Sequence, residues 1–196
     1  MKKLIIILIL IAVVSVSGCG VDKGTSKTTL TNNDPGDVNM EDENNKIVLL
    51  KTNMGDIKIE MASDMPITTG NFVGLVEKGT YDGVIFHRII DGFMIQGGDP
   101  TGTGMGDPSI PNIKGEFGSM KNNVGTISMA NTGDPDTGSS QFFINLINNN
   151  RLDGVHPVFG KVISGMDVVE KIAKVQTGPG DRPLEDVIIE KAEVMS

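Results

Sequence analysis

Phe86-His87-Arg88-Ile89-Ile90-Asp91-Gly92-Phe93-Met94-Ile95-Gln96-Gly97-Gly98-Asp99 is the stretch on which the fold turns. It reads as a strand through Ile90, an Asp91-Gly92 turn, and a second apolar run that closes on paired glycines. One guanidinium, two large apolar side chains and one amide are packed close to that turn. A cationic fork beside an apolar pocket suits a ligand that is apolar and carries a carbonyl.

Outward from this hairpin, short apolar runs alternate with turn residues. Ile47-Val48-Leu49-Leu50 and Ile57-Lys58-Ile59-Glu60-Met61 flank Asn53-Met54-Gly55-Asp56 and predict a hairpin. Ser63 or Asp64 is the expected cap of a helix starting near Pro66, with Phe72, Leu75 and Val76 as its apolar stripe. Gly125 to Asn131, Ser139 to Ile144, Val158 to Val162 and Val187 to Val194 read as strands. Met166, Val169, Ile172 and Ala173 line one face of a second helix. With 25 glycines and no tryptophan, the composition favours turn-rich antiparallel β structure over a helical bundle.

Two segments imitate other chemistry. Thr101-Gly102-Thr103-Gly104-Met105-Gly106 suggests a phosphate cradle, but Pro108 and Pro111 follow where a helix N-terminus would have to hold the phosphate. Asp134-Pro135-Asp136-Thr137-Gly138 lacks the ligand spacing and closing glutamate of a calcium loop and reads as a surface turn. A single cysteine rules out an internal disulfide framework and a thiolate metal cluster, and no metal or cofactor is expected. The net charge of -8 argues against nucleic acid as a partner.

The N-terminus carries its own message. Lys2-Lys3, an apolar run from Leu4 to Val16, and Val16-Ser17-Gly18-Cys19 predict a signal peptide over residues 1–18 with a lipobox at Cys19. Residues 19–45 are polar, offer almost nothing to bury, and read as a lipidated N-terminus and flexible tether reaching roughly 25 to 30 Å. The folded domain is expected over residues 46–196. These readings place it outside the cytoplasm, anchored to a membrane at Cys19, at the cell surface or in a periplasm.

The hairpin stretch resembles the signature of the cyclophilin family of peptidyl-prolyl cis/trans isomerases, and Gly125 to Phe143 resembles that family's second motif. The resemblance extends over roughly Lys46 to Met195. It implies a mainly β fold, a closed eight-stranded antiparallel β-barrel with two capping α-helices, and an isomerase that assists protein folding by turning X-Pro bonds. By match to the motifs, Arg88 is the expected catalytic residue, donating to the proline amide as resonance is lost. Phe93, Met94, Phe143 and Leu152 match the pocket for the proline ring. Gln96, Ala130, Asn131 and Gln141 match positions lining the groove, and His156 closes its far wall. Without the motifs, the four apolar residues would read as core, Arg88 as a surface ion-pair partner and His156 as a structural hydrogen bonder. His87 reads as structural.

The resemblance implies proline-containing polypeptides as partners; the sequence is silent on oligomeric state, and a monomer is the default expectation. A proline-peptide-binding chaperone module with little turnover, using the same groove, is the alternative. Arg151 stands where many relatives carry tryptophan, which puts sensitivity to the cyclic peptide cyclosporin in doubt.

Overall fold

The computed structural model describes residues 46–195; the expected leader, the tether and Cys19 lie outside them. Nine antiparallel strands form one curled sheet: β1 (Ile47–Thr52), β2 (Gly55–Met61), β3 (Val84–Ile85), β4 (Arg88–Ile90), β5 (Met94–Gly97), β6 (Thr126–Met129), β7 (Phe142–Asn145), β8 (Val158–Ser164) and β9 (Ile188–Met195). Two helices accompany it, α1 (Pro66–Glu77) and α2 (Met166–Ala173).

The sheet runs β3-β9-β1-β2-β8-β6-β7-β5-β4. Its two outer members, β3 and β4, are consecutive in the chain and separated only by Phe86 and His87. They are halves of one strand that changes partner: Val84 and Ile85 pair with Ile189 and Ile188, whereas Arg88 to Ile90 pair with Gln96 to Met94. Counted as one, they give the eight strands expected of the barrel, and the covalent chain closes what the ladders leave open. The continuous strand expected through Ile90 is thus split, because β9 and β5 claim its two halves.

Alternation explains the core. In β2, Ile57, Ile59 and Met61 point inward while their neighbours face water, as a two-residue period requires. Phe72 of α1 stands at the centre, its ring centroid 5.1 to 5.4 Å from those of Tyr81, Phe142 and Phe159. Edge-on and tilted pairs of this kind add about 0.5 to 1.5 kcal/mol each beyond their buried area. Phe72, Leu75 and Val76 are buried as the helical stripe predicts. In α2, Val169, Ile172 and Ala173 are buried.

The expected cap of α1 is not what forms. Met65 occupies the N-cap position and makes no side-chain bond. Asp64 instead accepts from the Ser119 backbone N–H at 2.8 Å, and the Glu116 carboxylate accepts from the Thr68 N–H. A distant acid has taken over the role of a local one, satisfying an orphan donor and complementing the helix dipole.

Gly98 shows how closely the strands approach beside the hairpin. Its φ is +84°, and a Cβ there would lie 2.6 Å from the Ser140 carbonyl oxygen and 2.7 Å from the Phe142 ring. Gly98→Ala combines left-handed strain with overpacking against backbone, so it is expected to cost about 3 kcal/mol. Thermal denaturation should show Tm lower by about 6 to 12 °C.

Candidate functional site

The β4–β5 register sets Arg88 opposite Gln96, while the Asp91-Gly92 turn between the two strands leaves Phe93 beside the groove mouth. Gly92 takes φ +68°, and the Phe93 N–H closes the turn on the Ile90 carbonyl at 3.0 Å. β5 pairs in turn with β7, which places Gln96 opposite Phe143. Three neighbouring strands thereby carry a guanidinium, an amide and an aromatic ring side by side.

Nine of the ten residues singled out from sequence line one cavity of about 310 Å³: Arg88, Phe93, Met94, Gln96, Ala130, Asn131, Phe143, Leu152 and His156. The tenth, Gln141, lies in an adjoining cavity of about 610 Å³ under the glycine-rich loop, which shares Gln96, Ala130 and Asn131 with the first. The two form one groove with an apolar socket at one end.

Amides line that groove as a relay. Gln96 Nε2 donates to Gln141 Oε1 at 3.0 Å, and Gln141 Nε2 donates to the Gly104 carbonyl at 3.1 Å. Gly104 is held in turn by Asp99. That fully buried carboxylate accepts from the N–H groups of Thr101, Gly104 and Gly106 at 2.7 to 3.1 Å, and from the Thr101 hydroxyl at 2.8 Å. Burial raises the pKa of Asp99, but these donors together outweigh burial and hold it below the usual carboxylate value. The glycine-rich loop is therefore wound on an anion of its own chain, which explains its resemblance to a phosphate cradle.

The far wall is set by His156. Its Nδ1 lies 3.2 Å from the Met129 carbonyl oxygen. A carbonyl only accepts, so Nδ1 carries the proton and Nε2 is left as the acceptor in the neutral ring. The ring meets Phe143 edge-on, with centroids 5.4 Å apart. Burial lowers its pKa and the bond to Met129 only partly compensates. Arg151 lies on the rim, its guanidinium carbon 4.9 Å from the centroid of the Phe93 ring, a cation–π contact on the pocket wall.

The reading from sequence missed the polar scaffold behind this wall. Asn149 Nδ2 donates to the Phe93 carbonyl at 2.9 Å and to Asn145 Oδ1 at 2.8 Å. Asn145 Nδ2 reaches Thr126 Oγ1 at 3.0 Å and Ser128 Oγ at 3.3 Å. Asn122 bonds Asp153 through its backbone N–H and side-chain amide, and its amide also reaches the His156 carbonyl at 3.2 Å. Asn122, Asn145 and Asn149 are buried. The available signal was an asparagine closing the apolar run Phe142-Phe143-Ile144-Asn145. Also missed was Asp181, whose carboxylate lies 3.4 Å from Arg88 Nε.

A curled antiparallel barrel with an apolar socket, a guanidinium and a row of amides along one groove defines a barrel suited to holding an extended peptide. Comparison with known proteins makes the class specific. Residues 47–194 match the family model described as cyclophilin type peptidyl-prolyl cis-trans isomerase/CLD. The peptidyl-prolyl cis-trans isomerase CYP18-1 of Arabidopsis thaliana is 49% identical over 152 residues, covering 75% of this chain and 94% of the relative. The isomerase ppi1 of Schizosaccharomyces pombe is 48% identical over 150 residues, covering 74% and 96%. A crystal structure of a Cryptosporidium parvum cyclophilin type isomerase aligns with a TM-score of 0.73 at 35% identity, over 77% of this chain and 98% of that one. A further structure of that protein, in the presence of the dipeptide Ala-Pro, aligns with a TM-score of 0.72. The chain belongs to the cyclophilin type peptidyl-prolyl cis-trans isomerase family.

Both histidines offer a test of the site's electrostatics. Burial, the largest cause in each case, lowers the pKa of His87 and His156 below the ordinary 6.5. The unfolded chain therefore takes up protons first as pH falls. Stability from the neutral rings is full above about pH 6.5 and declines as pH drops through the lower folded values. NMR titration of the two imidazoles should give both midpoints below 6.5, with Tm falling between pH 7 and pH 5. His156→Gln should flatten part of that fall.

Proposed function

We propose that this cyclophilin-type isomerase acts outside the cytoplasm, as a monomer held to a membrane by an acylated Cys19, on X-Pro bonds of polypeptides folding there. The observation that carries the assignment of the site is that Arg88 shares one 310 Å³ cavity with Phe93, Met94, Phe143 and Leu152. Lys2-Lys3, the apolar run and the lipobox at Cys19 support the location.

X-Pro rotation is slow because amide resonance must be broken, against a barrier of about 18 to 20 kcal/mol. No bond is made or cleaved. In our reading the proline ring enters the apolar socket, while Gln96, Asn131 and Gln141 hold the flanking backbone through their amides. The guanidinium of Arg88 donates to the proline nitrogen as that atom becomes pyramidal and gains a lone pair. A charge-assisted bond made chiefly in the twisted state contributes about 1.5 to 3 kcal/mol, roughly tenfold to a hundredfold in rate. The remainder comes from weaker amide hydration in the socket and from pinning the chain on both sides.

Isomerisation of a short X-Pro peptide, followed by NMR exchange with the domain from Lys46 onward, tests this. The parent should accelerate exchange strongly, and Arg88→Ala should lower kcat/KM by about 10- to 100-fold without a change in fold. Binding without acceleration in the parent would favour a peptide-holding module instead. For the anchor, Cys19→Ser in the full chain should move the protein from the membrane to the soluble fraction, and mass spectrometry of the parent should find acyl chains on Cys19.

A further inference from the structure

Asp181 is the only non-glycine residue with a positive φ among the described residues, at +61°, and it follows Gly180 at +74°. Left-handed backbone at a residue with a Cβ is uncommon and persists where its surroundings enforce it. Here they do. Gly178 and Arg182 close the turn, with the Gly178 N–H donating to the Arg182 carbonyl at 2.8 Å. Arg182 Nη1 donates to the Gly102 carbonyl at 2.6 Å, which ties the turn to the glycine-rich loop wound on Asp99. What this strained turn delivers is one carboxylate, with Asp181 Oδ2 3.4 Å from Arg88 Nε.

Both partners are close to half exposed, and an ion pair of that kind adds little to stability. A fold that retains left-handed strain for a weak pair gains something other than stability. The pair engages Arg88 at Nε, the donor nearest its stem, and no other hydrogen bond of that guanidinium occurs within the described residues. Rotation about the Cδ–Nε bond is thereby restricted, and the two terminal amino groups are left for a ligand in the groove.

We propose that Asp181 is a positioning residue for Arg88, fixing the guanidinium plane so that its terminal N–H groups meet the twisted proline amide. The inference rests on the isomerase reading above. It also assigns the turn at residues 178–182, distant in sequence from both motifs, to the catalytic apparatus.

Asp181→Gly is the informative variant, since glycine adopts the same φ without strain and the turn should keep its shape. Isomerisation of an X-Pro peptide measured by NMR exchange should show kcat lower by about five- to tenfold, KM within about twofold of the parent, and Tm not lower. Asp181→Asn keeps an acceptor oxygen for Nε and should recover most of the loss. In an Arg88→Lys background, where no Nε exists to be held, Asp181→Gly should cost nothing further. An unchanged or raised kcat in Asp181→Gly overturns the inference. So does a loss carried by KM, a loss as deep in Asp181→Asn, or an equal loss in the lysine background. A parent that does not accelerate exchange overturns the isomerase reading itself, and this inference with it.

Discussion

The change of partner at Phe86 and His87 is the constraint on which the rest depends. A strand has two edges, and here one half of it spends an edge on β9 while the other half spends an edge on β5. Phe86 holds the switch in place from inside: it is fully buried, with its ring edge-on to Phe142 and its N–H on the Val187 carbonyl at 2.9 Å. Without the switch β9 would keep only β1 and β5 only β7 as a neighbour, and Arg88 would have no fixed place relative to Gln96. Closure of the sheet and placement of the guanidinium are one event.

Two kinds of interaction divide the work. Apolar burial and the Phe72 cluster hold the barrel, acting without direction and tolerant of small changes in angle. The groove rim is irregular backbone and cannot be held that way. It is fixed by directed bonds: asparagine amides reaching the carbonyls of Phe93 and His156, and a buried aspartate gathering the N–H groups of the glycine-rich loop. Such networks specify geometry well because a misplaced member leaves a buried polar group unpaired.

What the sequence made legible was local. The Asn53-Met54 and Asp91-Gly92 turns, the period-two runs beside them and the stripe of α1 all declare themselves within a few residues, and the structure forms them. Within the first motif the short β4–β5 hairpin fixes Arg88 opposite Gln96, whereas the meeting of Gln96 with Phe143 rests on the non-local β5–β7 pairing and was implied only by the family resemblance. What stayed hidden depends on partners far away in the chain. The break in the strand is decided by pairing with β9, a hundred residues on, and the cap of α1 comes from Glu116 rather than Ser63 or Asp64. Asp181 and Asn149 carry no local mark at all, because their role lies in one carboxylate meeting Arg88 and one amide meeting Phe93.

The position of β9 in the sheet has a bearing on when the protein can begin to work. The last strand in chain order lies between β1, the first, and β3, so ladder bonds from both wait for it. Such non-local pairing is slow to form compared with local hairpins. A chain emerging from a ribosome can make the β1–β2 hairpin early, yet cannot close its barrel until residues 188–195 are free. Maturation is in this sense all or none and follows synthesis: the groove acquires its shape only after the whole domain has emerged, so a partly synthesised chain has no finished site with which to engage other polypeptides.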